Sequence, residues 1–236
     1  MKSVAEALKG NPYPGRGIFV GESADGKSLF LAYFIMGRSE NSRNRVLEEK
    51  DGVLYTRAFD ESKVTDPSLI IYPAVCRSGR EIILTNGDQT ETIREAIDAG
   101  GDFFSALETR TFEPDAPNYT PRISALVTLS EGTFDCKMSI LRRGKDGACE
   151  RARYLYAAEK GVGRLLHTYV TDGDPLPSFE GAPKALKTEG DFDSFSRALW
   201  EALDEENKIS LFLRAVDLET GEEVTRIFNK HVRSEK

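Results

Sequence analysis

The chain is poor in the residues that build metal and redox centres. Its 236 residues include only three cysteines (Cys76, Cys136, Cys149) and two histidines (His167, His231). An odd number of cysteines without paired spacing argues against a disulfide framework and for a reducing compartment. The cysteines and histidines do not cluster, so no metal site is expected. No stretch approaches the ~20 apolar residues of a membrane helix. The opening MKSVAEALKGNPYPGRG lacks the apolar run of a signal peptide. A soluble, cytoplasmic protein with no membrane partner is the expectation. Positive charge is also in short supply, with 32 Lys+Arg against 39 Asp+Glu and a formal net charge of -7. That balance speaks against a nucleic-acid partner. A small phosphorylated ligand stays open, because a few local arginines can outweigh the overall sign. There is no Pro/Ser-rich linker and no internal repeat, so residues 1–236 read as one domain.

What is present is mainly strand. Residues 17–22 and 28–35 flank Asp25-Gly26, a hairpin signal. Further strands are expected over 53–59, 69–76 and 81–85, the last two joined by Ser78-Gly79. Later come 123–129 and 134–141 around Glu131-Gly132, then 164–170, then 209–218 and 223–228 around Thr220-Gly221. Helices are fewer: 92–99 and 102–107, broken at Gly100-Gly101, and 193–205. In the last of these Phe192, Phe195, Leu199, Ala202 and Leu203 share one face, and Asp191 or Asp193 is placed to cap it. Hairpins in blocks, with helices between blocks, predict a layered α+β protein rather than a doubly wound one.

Several polar segments are suited to chemistry. Arg38, Arg43 and Arg45 occur in Gly37-Arg-Ser-Glu-Asn-Ser-Arg-Asn-Arg45, directly after an apolar strand, and guanidinium groups bind phosphate oxygens bidentately. The alternative is a solvated loop. Asn86-Gly87-Asp88-Gln89-Thr90 joins a strand to a helix, where Asp88 or Thr90 can cap and Asn86 can donate its amide; it also reads as a plain turn. Glu113-Pro-Asp-Ala-Pro-Asn-Tyr-Thr-Pro-Arg122 carries three prolines, which stiffen a loop and hold its side chains. Arg16 follows a turn-rich entry to the first strand and is within reach of a ligand. Tyr72, alone in an apolar strand, reads either as a core tyrosine or as a site group. His167, between Leu166 and Thr168, reads as structural.

In their order and spacing these segments resemble the archaeal-type inosine monophosphate (IMP) cyclohydrolase family. The residues concerned are Gly15-Arg16, Gly37-Arg38-Ser39 with Asn44-Arg45, Tyr72, Asn86-Gly87 with Thr90, Glu113, and Thr120-Pro121-Arg122-Ile123. The resemblance is good over approximately the first 130 residues and looser beyond. It implies a four-layer αββα sandwich like that of the N-terminal-nucleophile hydrolases. The activity it implies is closure of 5-formamidoimidazole-4-carboxamide ribonucleotide to IMP and water, without cofactor or metal, in a homo-oligomer. By position it gives Tyr72, Asn86 and Glu113 as catalytic groups around the reacting ring. Arg16, Arg38, Asn44, Arg45, Gly87, Thr120 and Arg122 become substrate contacts. Residue 2 is Lys, so an N-terminal nucleophile is not expected. Two rivals stand beside this reading. One is an amide hydrolase on the same scaffold, using Cys76 or Ser39 as nucleophile. The other is a purine-nucleotide sensor without catalysis.

Overall fold

The inner strands are apolar on both faces, the pattern of sheets that are covered on both sides. In the computed structural model, which describes residues 1–64 and 71–231, this pattern produces two stacked antiparallel sheets flanked by helices. The chain opens with α1 (Val4–Leu8), β1 (Arg16–Glu22), β2 (Ser28–Met36), α2 (Glu40–Arg43), β3 (Arg45–Lys50) and β4 (Val53–Ala58). It continues through β5 (Pro73–Ser78), β6 (Glu81–Thr85), α3 (Gln89–Asp98), α4 (Phe103–Ala106), β7 (Arg122–Ser130), β8 (Thr133–Arg143) and β9 (Cys149–Ala157). The last part holds β10 (Val162–His167), β11 (Lys184–Lys187), α5 (Phe192–Ala202), β12 (Lys208–Asp217) and β13 (Glu223–Asn229).

The first sheet has the order β11-β10-β1-β2-β12-β13, the second β3-β4-β5-β6-β7-β8-β9. Strand β2 shows why they stack. Leu29, Leu31, Tyr33 and Ile35 point into the core between the sheets, while Phe30, Ala32, Phe34 and Met36 point to the opposite face. The second sheet meets the first through Ile82, Leu84, Ile123, Ala125 and Val127. Outside the first sheet, Phe195, Leu199 and Leu203 at α5 and Val4 and Leu8 of α1 complete a second core. Outside the other sheet, Ile93 of α3 and Phe103 of α4 pack on Cys76, Ile83 and Leu126. Burying a side chain of this size contributes about 1.5–3 kcal/mol, so these three apolar layers supply the main driving force. The arrangement is compatible with an α+β sandwich.

The four hairpins expected around Asp25-Gly26, Ser78-Gly79, Glu131-Gly132 and Thr220-Gly221 all form. Of the strand expected over 69–76, residues 69 and 70 lie outside the described residues, 71 and 72 are not strand, and β5 begins at Pro73. Three strands absent from the sequence expectations are β3, β9 and β11, and each is a sheet edge. Edge strands carry charge on faces that an inner strand would keep apolar, as in Arg45-Val-Leu-Glu-Glu-Lys50 and Cys149-Glu-Arg-Ala-Arg153, and so lose the alternating signal. At α5, Asp191 makes the expected cap, accepting from the Ser194 N–H at 2.7 Å.

The topology gathers several element ends at one end of the sandwich. There β1 begins and β2 and β10 end, through the pairs Arg16↔Ile35 and Gly17↔His167. In the other sheet β6 ends where β7 begins, and β3 starts after the chain has crossed between sheets through α2. That crossing turns tightly at Gly37, where an added Cβ would lie 2.7 Å from the Ser42 carbonyl oxygen. Only glycine fits there.

Candidate active site

Five of the residues expected to meet a ligand line one cavity of about 270 Å³ at this end: Arg16, Arg38, Arg45, Glu113 and Thr120. Arg16 and Arg45 are 8% and 3% exposed, yet neither takes part in an ion pair among the described residues. The Arg16 Nε and the Arg45 Nε and Nη1 are buried without a hydrogen-bond partner. A buried cationic donor left unmatched is costly, and such a group commonly awaits a ligand. Burial, then the charge of Arg16, lowers the pKa of Arg45; a guanidinium remains charged at neutral pH all the same.

Glu113 is the carboxylate among these cations. It is 5% exposed and held by the stiff loop, whose Glu113 N–H donates to the Thr120 carbonyl at 2.9 Å. Burial pushes its carboxyl above the usual carboxylate range, against the pull of Arg16 and Arg122. A carboxyl with a raised pKa that faces a cavity is suited to holding and moving a proton. Gly87 is beside it: a Cβ there would lie 2.6 Å from Arg122 Nη1 and 3.5 Å from Glu113 Oε1. Arg122 itself is anchored, its Nη1 donating to Asp88 Oδ1 at 2.6 Å and Gln89 Oε1 at 2.7 Å. Arg110 also pairs with Asp88. Asp88 therefore stands at the start of α3 without capping it, its carboxylate committed to two arginines.

Tyr72 lies beneath the arginines. Its ring is buried in the inter-sheet core, and its hydroxyl interacts electrostatically with Arg16 and Arg45. The Tyr72 and Tyr33 hydroxyls are 2.8 Å apart and hydrogen-bonded to each other. Burial, then the adjacent Tyr72, raises the Tyr33 pKa well above the ordinary phenol value. Tyr33 therefore stays neutral.

Tyr72, Gly87, Arg122, Asn86 and Asn44 do not line the cavity, and the last two have structural roles. Asn86 is a structural clasp: its Nδ2 donates to the Pro121 carbonyl at 2.9 Å, and its Oδ1 accepts from Ile123 N–H at 2.8 Å and Gln89 Nε2 at 3.1 Å. It positions Arg122 and the proline loop and does not line the cavity. Asn44 clamps Asp60, exchanging hydrogen bonds with its backbone at 2.8 and 2.7 Å. Arg38 is at the mouth, 5.1 Å above the Tyr13 ring, and pairs with Asp172. His167 is structural, as read: its Nδ1 meets the Tyr169 carbonyl at 2.7 Å and its ring packs edge-on against Phe179.

The cavity also uses residues that sequence reasoning did not single out. Tyr13 and Tyr169 stack with ring centroids 5.9 Å apart, and Asp115, Asn118 and Leu176 line it as well. Asp115 and Asn118 belong to the proline loop already suspected, and Tyr13 belongs to the turn before β1. Leu176 follows β10 by nine positions and gives no local signal.

Two buried guanidiniums without ion-pair partners and a buried carboxyl with a raised pKa line a pocket for a small anionic molecule undergoing proton transfer, with the Tyr33–Tyr72 hydroxyl pair outside its lining. The class is a small-molecule enzyme site on a two-sheet α+β scaffold. Residues 13–221 match the family described as IMP cyclohydrolase-like protein, a span that includes every cavity residue. An IMP cyclohydrolase of Methanopyrus kandleri (strain AV19) is 29% identical over 181 residues, 71% of this chain and 89% of that protein. The chain belongs to the IMP cyclohydrolase-like family.

Proposed function

We propose that this chain closes the purine ring, converting 5-formamidoimidazole-4-carboxamide ribonucleotide to IMP and water. The observation that carries the reading is the unmatched pair Arg16 and Arg45 facing Glu113 in one cavity. Both reacting groups sit on adjacent carbons of one imidazole, so much of the proximity advantage is already in the substrate. The carboxamide nitrogen attacks the formyl carbon and gives up one proton. The formamide nitrogen gives up another. Both protons end on the former formyl oxygen, which leaves as water.

The residues divide this work. Glu113 accepts from the carboxamide N–H, turning the nitrogen towards the formyl carbon and taking its proton. Arg16 and Arg45 hold the developing oxyanion, a role worth about 10²–10³-fold for one well-placed donor. This assignment replaces the expected role of Asn86, whose amide is tied to the β7 entry. Tyr72, with Tyr33 donating to it, gives a proton to the departing oxygen. Arg38 at the mouth exchanges Asp172 for the ligand phosphate, whose binding energy helps hold the ring in place. Gly87 lets Arg122 approach Glu113 closely, and Thr120 fixes the loop.

The same reading includes the αββα layer order of the N-terminal-nucleophile hydrolases, a cytoplasmic location and a homo-oligomeric state. The placement of helices outside both sheets supports the first. No helix among the described residues is long and apolar enough to cross a membrane. The hydrolase alternative draws little support. Cys76 packs beneath α3, and burial pushes its thiol up to about 11. Ser39 lines the cavity, but its hydroxyl caps α2. Incubating the purified protein with the formamido ribonucleotide and following ultraviolet absorbance tests the proposal. Ring closure supports it; tight IMP binding without substrate loss would favour the sensor.

A further inference from the structure

We propose that Asp115 reads the ribose hydroxyls of the bound nucleotide and makes the site selective for ribonucleotides over 2′-deoxyribonucleotides. The inference rests on the proposed function. Its starting point is a charge that an anion pocket should not contain. Arg16, Arg38 and Arg45 make the cavity cationic, yet Asp115 lines it too and joins no ion pair among the described residues. Arg38, on the same cavity, pairs with Asp172 instead. A carboxylate repels the ligand phosphate, so it must face a part of the ligand that is uncharged and rich in donors. With the carboxamide donor met by Glu113 in the proposed function, the part left for Asp115 is the sugar.

The hydrogen bonds around Asp115 fix what it can offer. Its Oδ1 accepts from the Thr120 N–H at 2.6 Å, and its Oδ2 accepts from the Thr120 hydroxyl. Because Thr120 gives its proton to Asp115, it accepts in turn from the Tyr169 hydroxyl at 2.6 Å. The arm is therefore polarised in one direction, and the carboxylate is held rigidly. An ionised carboxylate has about four lone-pair sites, so each oxygen keeps room for one more donor. Asn118, three residues on and in the same lining, has its Oδ1 occupied by the Leu176 N–H at 3.1 Å. That bond orients the amide and leaves Nδ2 as a donor. A fixed acceptor beside a fixed donor matches a vicinal diol, in which each hydroxyl both gives and receives.

Binding of IMP and of 2′-deoxyinosine monophosphate to the parent protein, and to Asp115→Ala and Asp115→Asn, tests this by calorimetry. A hydrogen bond from a hydroxyl to a charged acceptor contributes about ten- to a hundredfold in affinity, so the parent should prefer IMP by at least tenfold. Asp115→Ala should bring the two affinities within about threefold of each other while keeping most of the affinity for the deoxy compound. Asp115→Asn, which keeps one acceptor oxygen and the loop bond to Thr120, should fall between. Equal binding of both nucleotides by the parent overturns the inference without any variant. An unchanged ratio in Asp115→Ala also overturns it, since a loop role alone would weaken both ligands alike. A parent that closes the ring but ignores the 2′-hydroxyl refutes only the sugar reading; a parent that binds no IMP refutes the function beneath it.

Discussion

Two buried arginine sites in this protein are built on opposite principles. Arg214 in β12 is 5% exposed, and its guanidinium is met by Glu49 at 2.5 Å, Glu223 at 3.0 Å and Thr225 at 3.1 Å. It joins both sheets, since Glu49 belongs to β3 and Glu223 to β13. Arg45, as deeply buried at the other end of β3, has Nε and Nη1 without any partner. The first charge is neutralised by the fold; the second is left for something that arrives later. Burial of charge alone does not mark a site. Burial without compensation, against an open cavity, does.

The largest effects that would break this contrast concern the reacting groups. Glu113→Gln and Tyr72→Phe should each lower turnover by about 10²–10⁴-fold while changing IMP affinity far less, read from steady-state rates and calorimetry. Turnover within a few-fold of the parent would mean that the cavity is not where chemistry occurs. Glu113→Gln has a second signature. With the folded carboxyl above its unfolded value, the unfolded chain ionises first, so Glu113 costs stability as pH rises from the ordinary Glu range towards its raised value. The variant should therefore melt higher than the parent at pH 7 and show no such advantage below pH ~4.

The paired substitutions Arg45→Met and Arg214→Met sharpen the comparison most directly. Arg45→Met should reduce IMP affinity by about ten- to a hundredfold and leave stability unchanged or higher, because it removes an unmatched buried charge. Arg214→Met should do the reverse. Breaking a buried pair costs about 3–5 kcal/mol, and the low end applies here because Glu49 and Glu223 are a quarter exposed. Nucleotide affinity of the folded variant should stay within about twofold. Urea melts and calorimetry on both variants would show the two profiles crossing.

His167 offers a comparison of similar size in stability alone. Burial, followed by the charge of Lys184, holds its pKa down to about 4. The unfolded imidazole binds its proton near 6.5, so stability is complete above that pH and falls as pH drops towards 4, by on the order of 3 kcal/mol in all. His167→Gln should flatten this acid limb in thermal melts between pH 4 and 7, with no effect on the basic side. The smallest effect belongs to Tyr33→Phe. It should lower turnover about three- to tenfold, and it should add nothing to the loss already produced by Tyr72→Phe. Additive losses would make Tyr33 a packing residue only.

How far the sequence reveals each part depends on how local its signal is. The hairpins of β1–β2, β7–β8 and β12–β13 are legible because alternation and turn residues lie side by side in the chain. Edge strands β3, β9 and β11 are not, since each has only one neighbouring strand in its sheet and its charged composition hides the alternation. Among site residues, Arg16, Arg38, Arg45, Glu113 and Thr120 are legible from clustered polar motifs, and they do share a cavity. Asn86 shows the limit. A strand-end amide before a glycine looks the same in sequence whether it faces a ligand or, as here, clasps Pro121 and Ile123.

The amino-acid order by itself determined that this would be an α+β chain with arginine-rich and proline-stiffened loops, because periodicity, turn chemistry and loop stiffness are properties of neighbours. Only the tertiary structure decided which polar groups go uncompensated. Whether Arg45 is tied into an ion pair, as Arg214 is to Glu49 165 residues away in sequence, or lines a cavity depends on which strands the two sheets bring together. The spacing of charges along a chain carries no record of their distances once two sheets have closed over them.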